Sequence, residues 1–175
     1  MSLFSPHAQK WSGDEDWKKR HAVLVVVSAM GMSCFPKISD FAMPLLDICR
    51  KGLNDQHVRV RWAACLALGP MGTMLYESLS KPQMDHLITQ LMQASVVNDP
   101  GAVAVQERAL RCIPMVFSRT CIPPDGHLLD KLVKYDCLMD LHLTSVFRWI
   151  LQSMKFASSS VKKAALECLT HLTSI

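Results

Sequence analysis

A self-match at a shift of 41 residues, from Arg20 to Arg61, constrains this chain more than any other feature. A period of that length commits a sequence to stacked copies of one unit. Asp-Trp-Lys-Lys-Arg-His-Ala-Val-Leu (16–24) lies over His-Val-Arg-Val-Arg-Trp-Ala-Ala-Cys (57–65); Ala22 matches Ala63, Met30 matches Met71 and Gly31 matches Gly72. Two looser copies are Val105-Gln-Glu-Arg-Ala-Leu-Arg-Cys-Ile, after the turn Asn98–Gly101, and Val161-Lys-Lys-Ala-Ala-Leu-Glu-Cys-Leu, after Ser158–Ser160. The last copy is the longest. Asp16 and Asp55 mark the polar turns before the first two blocks, where Asp or Ser oxygens can accept from the open N–H groups of a first helical turn.

Each block is apolar on nearly every side, so each is expected to be an inner helix covered all round by its partner and by neighbouring repeats. The predicted inner helices lie near 17–31, 58–72, 103–118 and 160–174, with small residues (Ala63, Ala64, Ala67, Ala164, Ala165) allowing close approach. Outer helices should precede them. Asp40 to Gly52 offers an N-cap in Asp40, Pro44 in the first turn and a closing glycine, Gly52. Ser80-Lys-Pro-Gln opens the next, with Met84, Leu87, Ile88, Leu91 and Met92 on one stripe. Pro123-Pro-Asp-Gly126 is the strongest break, after which Leu128–Leu138 and Leu141–Phe156 form either one bent outer helix or two. Leu3–Trp11 reads as the remnant of a first outer helix. Neither end carries the polar cap that closes a solenoid, so a segment of a longer protein is expected. The expected fold is one all-α, right-handed α-solenoid of antiparallel helix pairs, about four repeats over 1–175. Val23-Leu-Val-Val-Val27 taken alone would suit a buried strand of an α/β enzyme, but its charged lead-in shares the spacing of the Ala-rich second block.

Composition narrows function. Half of the 175 residues are hydrophobic and only 7% aromatic, which suits helix-on-helix packing. A net charge of +4, spread along the chain, is no nucleic-acid signature, so nucleic acid is not expected as a partner. The seven cysteines (Cys34, Cys49, Cys65, Cys112, Cys121, Cys137, Cys168) include no C-x-x-C pair; several sit among apolar residues as core thiols, which indicates a reducing compartment. The longest apolar stretch, Ala22–Met32, is too short to span a bilayer, and no membrane partner is expected. Cys121 with His127, and Cys137 with His142, lack the paired spacings of zinc sites. Gly69-Pro-Met-Gly72 is read as a helix end without phosphate-loop context, and no nucleophile or metalloprotease motif occurs. The expected catalytic, cofactor-binding and metal-ligating residues are none.

At Asp16-Trp17-Lys-Lys-Arg20-His21-Ala22 and His57-Val-Arg59-Val-Arg61-Trp62-Ala63-Ala64-Cys65 the chain resembles the HEAT repeats of importin-β-type karyopherins, most closely the importin-beta-three branch. Cys121 to Val133 is similar to the following repeat of that branch. The resemblance covers residues 14–135. It implies a nuclear transport receptor moving between cytoplasm and nucleus, whose partners would be protein cargo, phenylalanine-glycine nucleoporins and Ran-GTP. The net positive charge departs from such receptors, which are usually strongly acidic, so no acidic trap for a basic localisation signal is visible. No residue here is assigned to Ran. A non-transport HEAT scaffold, such as a phosphatase scaffolding subunit or assembly adaptor, is the alternative.

The charged helix starts carry two readings. Asp16, Arg20, Asp55 and Arg61 are expected as turn caps and as a ladder in which an Asp of one turn meets an Arg of the neighbouring repeat. Lys18, Arg59, Arg108, Arg111 and Lys162 are expected to face the groove and an acidic partner, with Trp62 as a candidate aromatic anchor. Trp17 and Trp62, four residues out of equivalence at this shift (Trp62 aligns with His21), are each expected to pack on the adjacent helix as well.

Overall fold

The computed structural model describes residues 4–33, 41–95, 101–118, 145–154 and 158–173. These residues form helices and turns, with no strand among them: α1 Phe4–Ser12, α2 Trp17–Ser33, α3 Ala42–Leu53, α4 Val58–Ser78, α5 Lys81–Ala94, α6 Ala102–Ser118, α7 over 145–154 and α8 Ser159–Thr173. Val23–Val27 is thus helical, and the α/β alternative falls for the described residues. Residues 145–154 of the stretch Leu141–Phe156 are helical (α7), whereas its two ends, Leu128–Leu138, Pro123–Gly126 and the cysteines Cys34, Cys121 and Cys137 lie outside the described residues.

The inner helices pack in chain order, α2 on α4, α4 on α6 and α6 on α8. Outer helices cover them, α1 on α2, α3 on α4 and α5 on α6, and α1, α3 and α5 touch in series. This is an all-α solenoid of the HEAT type. Its core runs along the inner row, where Leu24, Val27, Ala64, Leu68, Met71, Leu110, Ile113, Val161 and Ala165 are buried, and Leu46 of α3 and Leu91 of α5 cover it. Alanines allow that closeness, since Ala63, Ala64, Ala67, Ala164 and Ala165 are fully enclosed.

Local chemistry starts the helices. In α5 the Gln83 side chain accepts from the Ser80 amide at 2.9 Å, and Pro82 stands in the first turn. Leu87, Ile88 and Leu91 of its stripe are buried, with Met84 and Met92 packed at the edge. In α3 the N-cap position is Phe41; Asp40 lies outside the described residues.

Two glycine readings need correction. Gly52 does not close α3 from outside: it is buried in the last turn and Asn54 is the C-cap. A methyl group on Gly52 would meet Leu24 Cδ1 at 2.7 Å and Ala64 Cβ at 3.0 Å, so the residue lets α3 sit in the seam between α2 and α4. Gly69–Gly72 does not end a helix either. α4 continues through Pro70 to Ser78, because this stretch is pressed against neighbours on both sides. A methyl on Gly31 of α2 would lie 3.2 Å from Pro70 Cβ, and one on Gly72 would lie 2.5 Å from the Met115 carbonyl oxygen of α6. Tertiary packing here overrides the helix-breaking tendency of Gly and Pro.

Candidate functional groove at the inner-helix starts

The site is built from two turns with the same wiring. Asp14 Oδ1 accepts from the Asp16 amide at 3.0 Å, and Asp55 Oδ1 accepts from the His57 amide at 2.8 Å. The next link caps the helix: Asp16 Oδ1 accepts from the Lys18 amide at 2.9 Å, and His57 Nδ1 accepts from the Arg59 amide at 3.3 Å. The 41-residue shift therefore pairs Asp14 with Asp55 and Asp16 with His57. This corrects the reading of Asp16 and Asp55 as equivalent turn acids; Asp16 is an N-cap, and a histidine ring holds that place in the next repeat.

Both turns are tied down by an arginine from the helix they start. Arg20 Nη1 donates to the Asp14 and Glu15 carbonyls at 2.7 and 2.8 Å. Arg61 Nη1 donates to the Asp55 and Gln56 carbonyls, both at 2.9 Å. Arg20 also reaches the following repeat, with Nε on Asp55 Oδ2 at 2.6 Å and Nη2 on Asp55 Oδ1 at 2.9 Å. This two-point bond fixes one repeat on the next. Burial pushes the Asp55 carboxyl up, but hydrogen bonds from Arg20 and the His57 amide outweigh it and hold Asp55 below its ordinary value. The Lys19 ammonium, 2.9 Å away, likewise holds Asp14 down.

Beside these turns stands an aromatic wall. Trp17 lies flat on the His57 ring, 3.9 Å between centroids and 5° between planes. His21 also meets Trp17, edge-on, at 6.2 Å and 77°. The Arg59 guanidinium carbon sits 5.6 Å over the Trp17 ring, a cation–π contact. Burial first, then the positive charge of Arg59 and His57, push the His21 imidazole below its ordinary value, favouring its neutral form. Next to this wall opens a cleft of about 440 Å³ lined by His21, Val58, Arg59, Trp62, Gly101 and Ala104, spanning the starts of α2, α4 and α6.

The expected partner-binding residues are distributed unevenly. Arg59 and Trp62 line the cleft, and Lys18 is exposed at the start of α2. Arg108 is half-buried against Cys65, whose thiol feels its charge. Arg111 is engaged by Glu107 of its own helix at 3.4 Å and by Glu167 of α8 at 3.1 Å, so it bridges inner helices. Lys162 belongs to a separate depression on α8, with Lys163, Leu166 and Glu167. Sequence reasoning missed His57, and it gave Trp17 a packing role alone. The available signal was register, since His57 stands 41 residues after the N-cap Asp16.

Other chemistry is sparse. Cys49, Cys65, Cys112 and Cys168 are free and buried. Burial pushes the Cys65 and Cys168 thiols up to about 12, and Cys49 and Cys112 upward as well, which makes them poor nucleophiles. Among the described residues no His, Cys, Asp and Glu cluster could hold a metal ion, and no helix is long and apolar enough to cross a membrane. Compared with known protein families, residues 45–75, from the middle of α3 through most of α4, match the HEAT repeat.

Proposed function

We propose that this chain, a HEAT-repeat protein, is a protein-binding segment of an importin-β-type nuclear transport receptor, holding its partner along the exposed side of the inner helices. The observation that carries the binding reading is the division among cations at the helix starts. Arg20 and Arg61 are spent inside the turns, whereas Arg59 borders an open cleft with Trp62 and has no carboxylate partner among the described residues. Stacked helical repeats characteristically offer such extended surfaces to proteins. The transport reading is supported by the motifs at residues 16–22 and 57–65, which resemble those of that receptor family. Cargo, phenylalanine-glycine nucleoporins and Ran-GTP would then be the partners, and the protein would shuttle between cytoplasm and nucleus.

The net charge of +4 favours a second reading, a non-transport HEAT scaffold or adaptor, because receptors of the importin type are usually acidic. Pull-down with immobilised Ran-GTP and with nucleoporin repeats separates the two. Capture by both is expected for the receptor. Failure of both assigns the chain to the scaffold class.

A further inference from the structure

We propose that the cleft beside the Trp17–His57 stack binds an extended acidic peptide segment, seating one aromatic side chain against Trp62 and Val58 and a flanking carboxylate on Arg59. The inference rests on the protein-binding reading and names the chemistry of its partner at this place. Three observations converge here. The cleft, about 440 Å³, has apolar walls contributed by three successive repeats, and pockets of that order take an aromatic side chain with its flanking backbone. Gly101 and Ala104 at its α6 border add almost no side-chain bulk, so the opening is kept clear. Its charged lining residue is Arg59, whose guanidinium lies over Trp17 and is thereby held in place at the rim.

The local carboxylates are already engaged. Asp55 is bound by Arg20 at 2.6 and 2.9 Å, and Asp14 by Lys19 at 2.9 Å. The Asp16 carboxylate caps α2 through the Lys18 amide. The positive charge of Arg59, with exposed Lys18 nearby on α2, is therefore left for an incoming anion. A planar guanidinium fixed by a ring suits the two oxygens of a carboxylate. Inner helices spaced roughly 8–10 Å apart place three helix starts over about 20 Å, which an extended chain covers with about six residues. Nucleic acid fits less well, because a phosphate backbone is held by a run of cations, whereas the lining of this cleft is mostly apolar and carries one arginine, Arg59.

The test is fluorescence anisotropy with the whole 175-residue protein and a fluorescein-labelled nonapeptide, Ser-Glu-Asp-Glu-Phe-Glu-Asp-Asp-Ser. Three comparison probes are the same peptide with Phe replaced by Ala, one with every acid replaced by Lys, and a labelled thymidine dodecamer. Binding of the acidic Phe peptide is expected, weakened about tenfold by its Phe-to-Ala change and about tenfold or more by Arg59→Glu. Arg59→Lys should recover part of the loss, since the charge returns without the planar fork. Trp62→Ala should weaken binding about tenfold and Trp62→Phe much less; circular dichroism confirms that each variant is folded. The proposal is overturned if Arg59→Glu binds as wild type, if the Lys peptide binds as well as the acidic one, or if the dodecamer binds more tightly through the same residues. It is equally overturned if no peptide binds. Ran-GTP and nucleoporin capture are read separately, so a failure here leaves the receptor reading standing, and the reverse also holds.

Discussion

Replacing Gly72 by alanine tests directly what sets the spacing of the inner helices. The added methyl would lie 2.5 Å from the Met115 carbonyl oxygen, 3.2 Å from the Met115 carbonyl carbon and 3.4 Å from Val116 Cα. These are main-chain atoms of α6, so no side chain can rotate aside. Carbon–oxygen contacts of this type settle at roughly 3.3–3.6 Å, so α4 and α6 must part locally by about 0.8 Å. Overpacking of that kind costs about 1–3 kcal/mol, with backbone clashes toward the upper end. The better helix propensity of alanine returns about 1 kcal/mol. The net expectation is a loss of about 1–2 kcal/mol. Gly31, its counterpart in the preceding repeat, is the internal control. There the nearest atoms are Pro70 Cβ at 3.2 Å and Met71 Cγ at 3.4 Å, so a shift of a few tenths of an ångström suffices. Gly31→Ala should then be neutral, or stabilising by up to about 1 kcal/mol. Gly69→Ala meets the flexible tip of Met115, Sδ at 3.0 Å, and should fall between the two. Urea unfolding followed by far-UV circular dichroism ranks the variants, provided they share one m-value. A Gly72→Ala protein as stable as wild type, or less affected than Gly31→Ala, would refute the reasoning.

Three further outcomes follow from the turns and the core. Arg20→Met should cost about 2–4 kcal/mol in urea unfolding, since it strands the Asp55 carboxylate and two turn carbonyls together; a cost below about 0.5 kcal/mol would deny the bond its role between repeats. Asp55 has a lowered folded value, so its contribution is fully present above its ordinary value of 3.8 and is lost as pH falls through the lower folded value. The urea midpoint of wild type should therefore drop more steeply in acid than that of Asp55→Asn, and parallel curves would contradict this. Alkylation with iodoacetamide at pH 8, mapped by mass spectrometry, should spare Cys49, Cys65, Cys112 and Cys168 in the native protein and label all four in urea, because they are buried and their thiols are pushed far up; native labelling at any of them would show that the inner row opens.

The fold was legible because its determinants are periodic. Repeated blocks of Ala, Leu and Val, each led by a charged turn, cannot bury themselves except against copies of the same block, and α2, α4, α6 and α8 do this in order. Misread elements share one cause, close approach by a non-local neighbour. Gly52 resembles a C-cap because glycine is common there, yet it is small to admit Leu24 and Ala64. Gly69-Pro-Met-Gly72 resembles a helix end because local propensity says so, and α2 and α6 on either side decide otherwise. The cleft was harder to read. Arg59 and Trp62 stand out by type, but Trp17 and His57 are 40 positions apart and become a wall only through stacking. His57 is also an uncommon N-cap, so residue preference hides it and only the repeat register reveals it.

The same register explains how one short sequence supplies both a cation that holds the turn and one that is turned outward. Counted from the N-caps Asp16 and His57, Lys18 and Arg59 occupy the second position, whereas Arg20 and Arg61 occupy the fourth. Two residues advance an α-helix by about 200°, so cations at these positions leave it on nearly opposite sides. The fourth-position guanidinium swings back over its own turn, collects the carbonyls left open there and, for Arg20, reaches the next repeat's Asp55. The second-position side chain cannot reach those carbonyls and is turned outward, where Arg59 meets the Trp17 ring and the open cleft. Exchanging the two roles would need a shift of register, not merely a change of residue. The starts of α2 and α4 thus each carry one arginine that ties down the turn, Arg20 or Arg61, and one cation that is turned outward, Lys18 or Arg59.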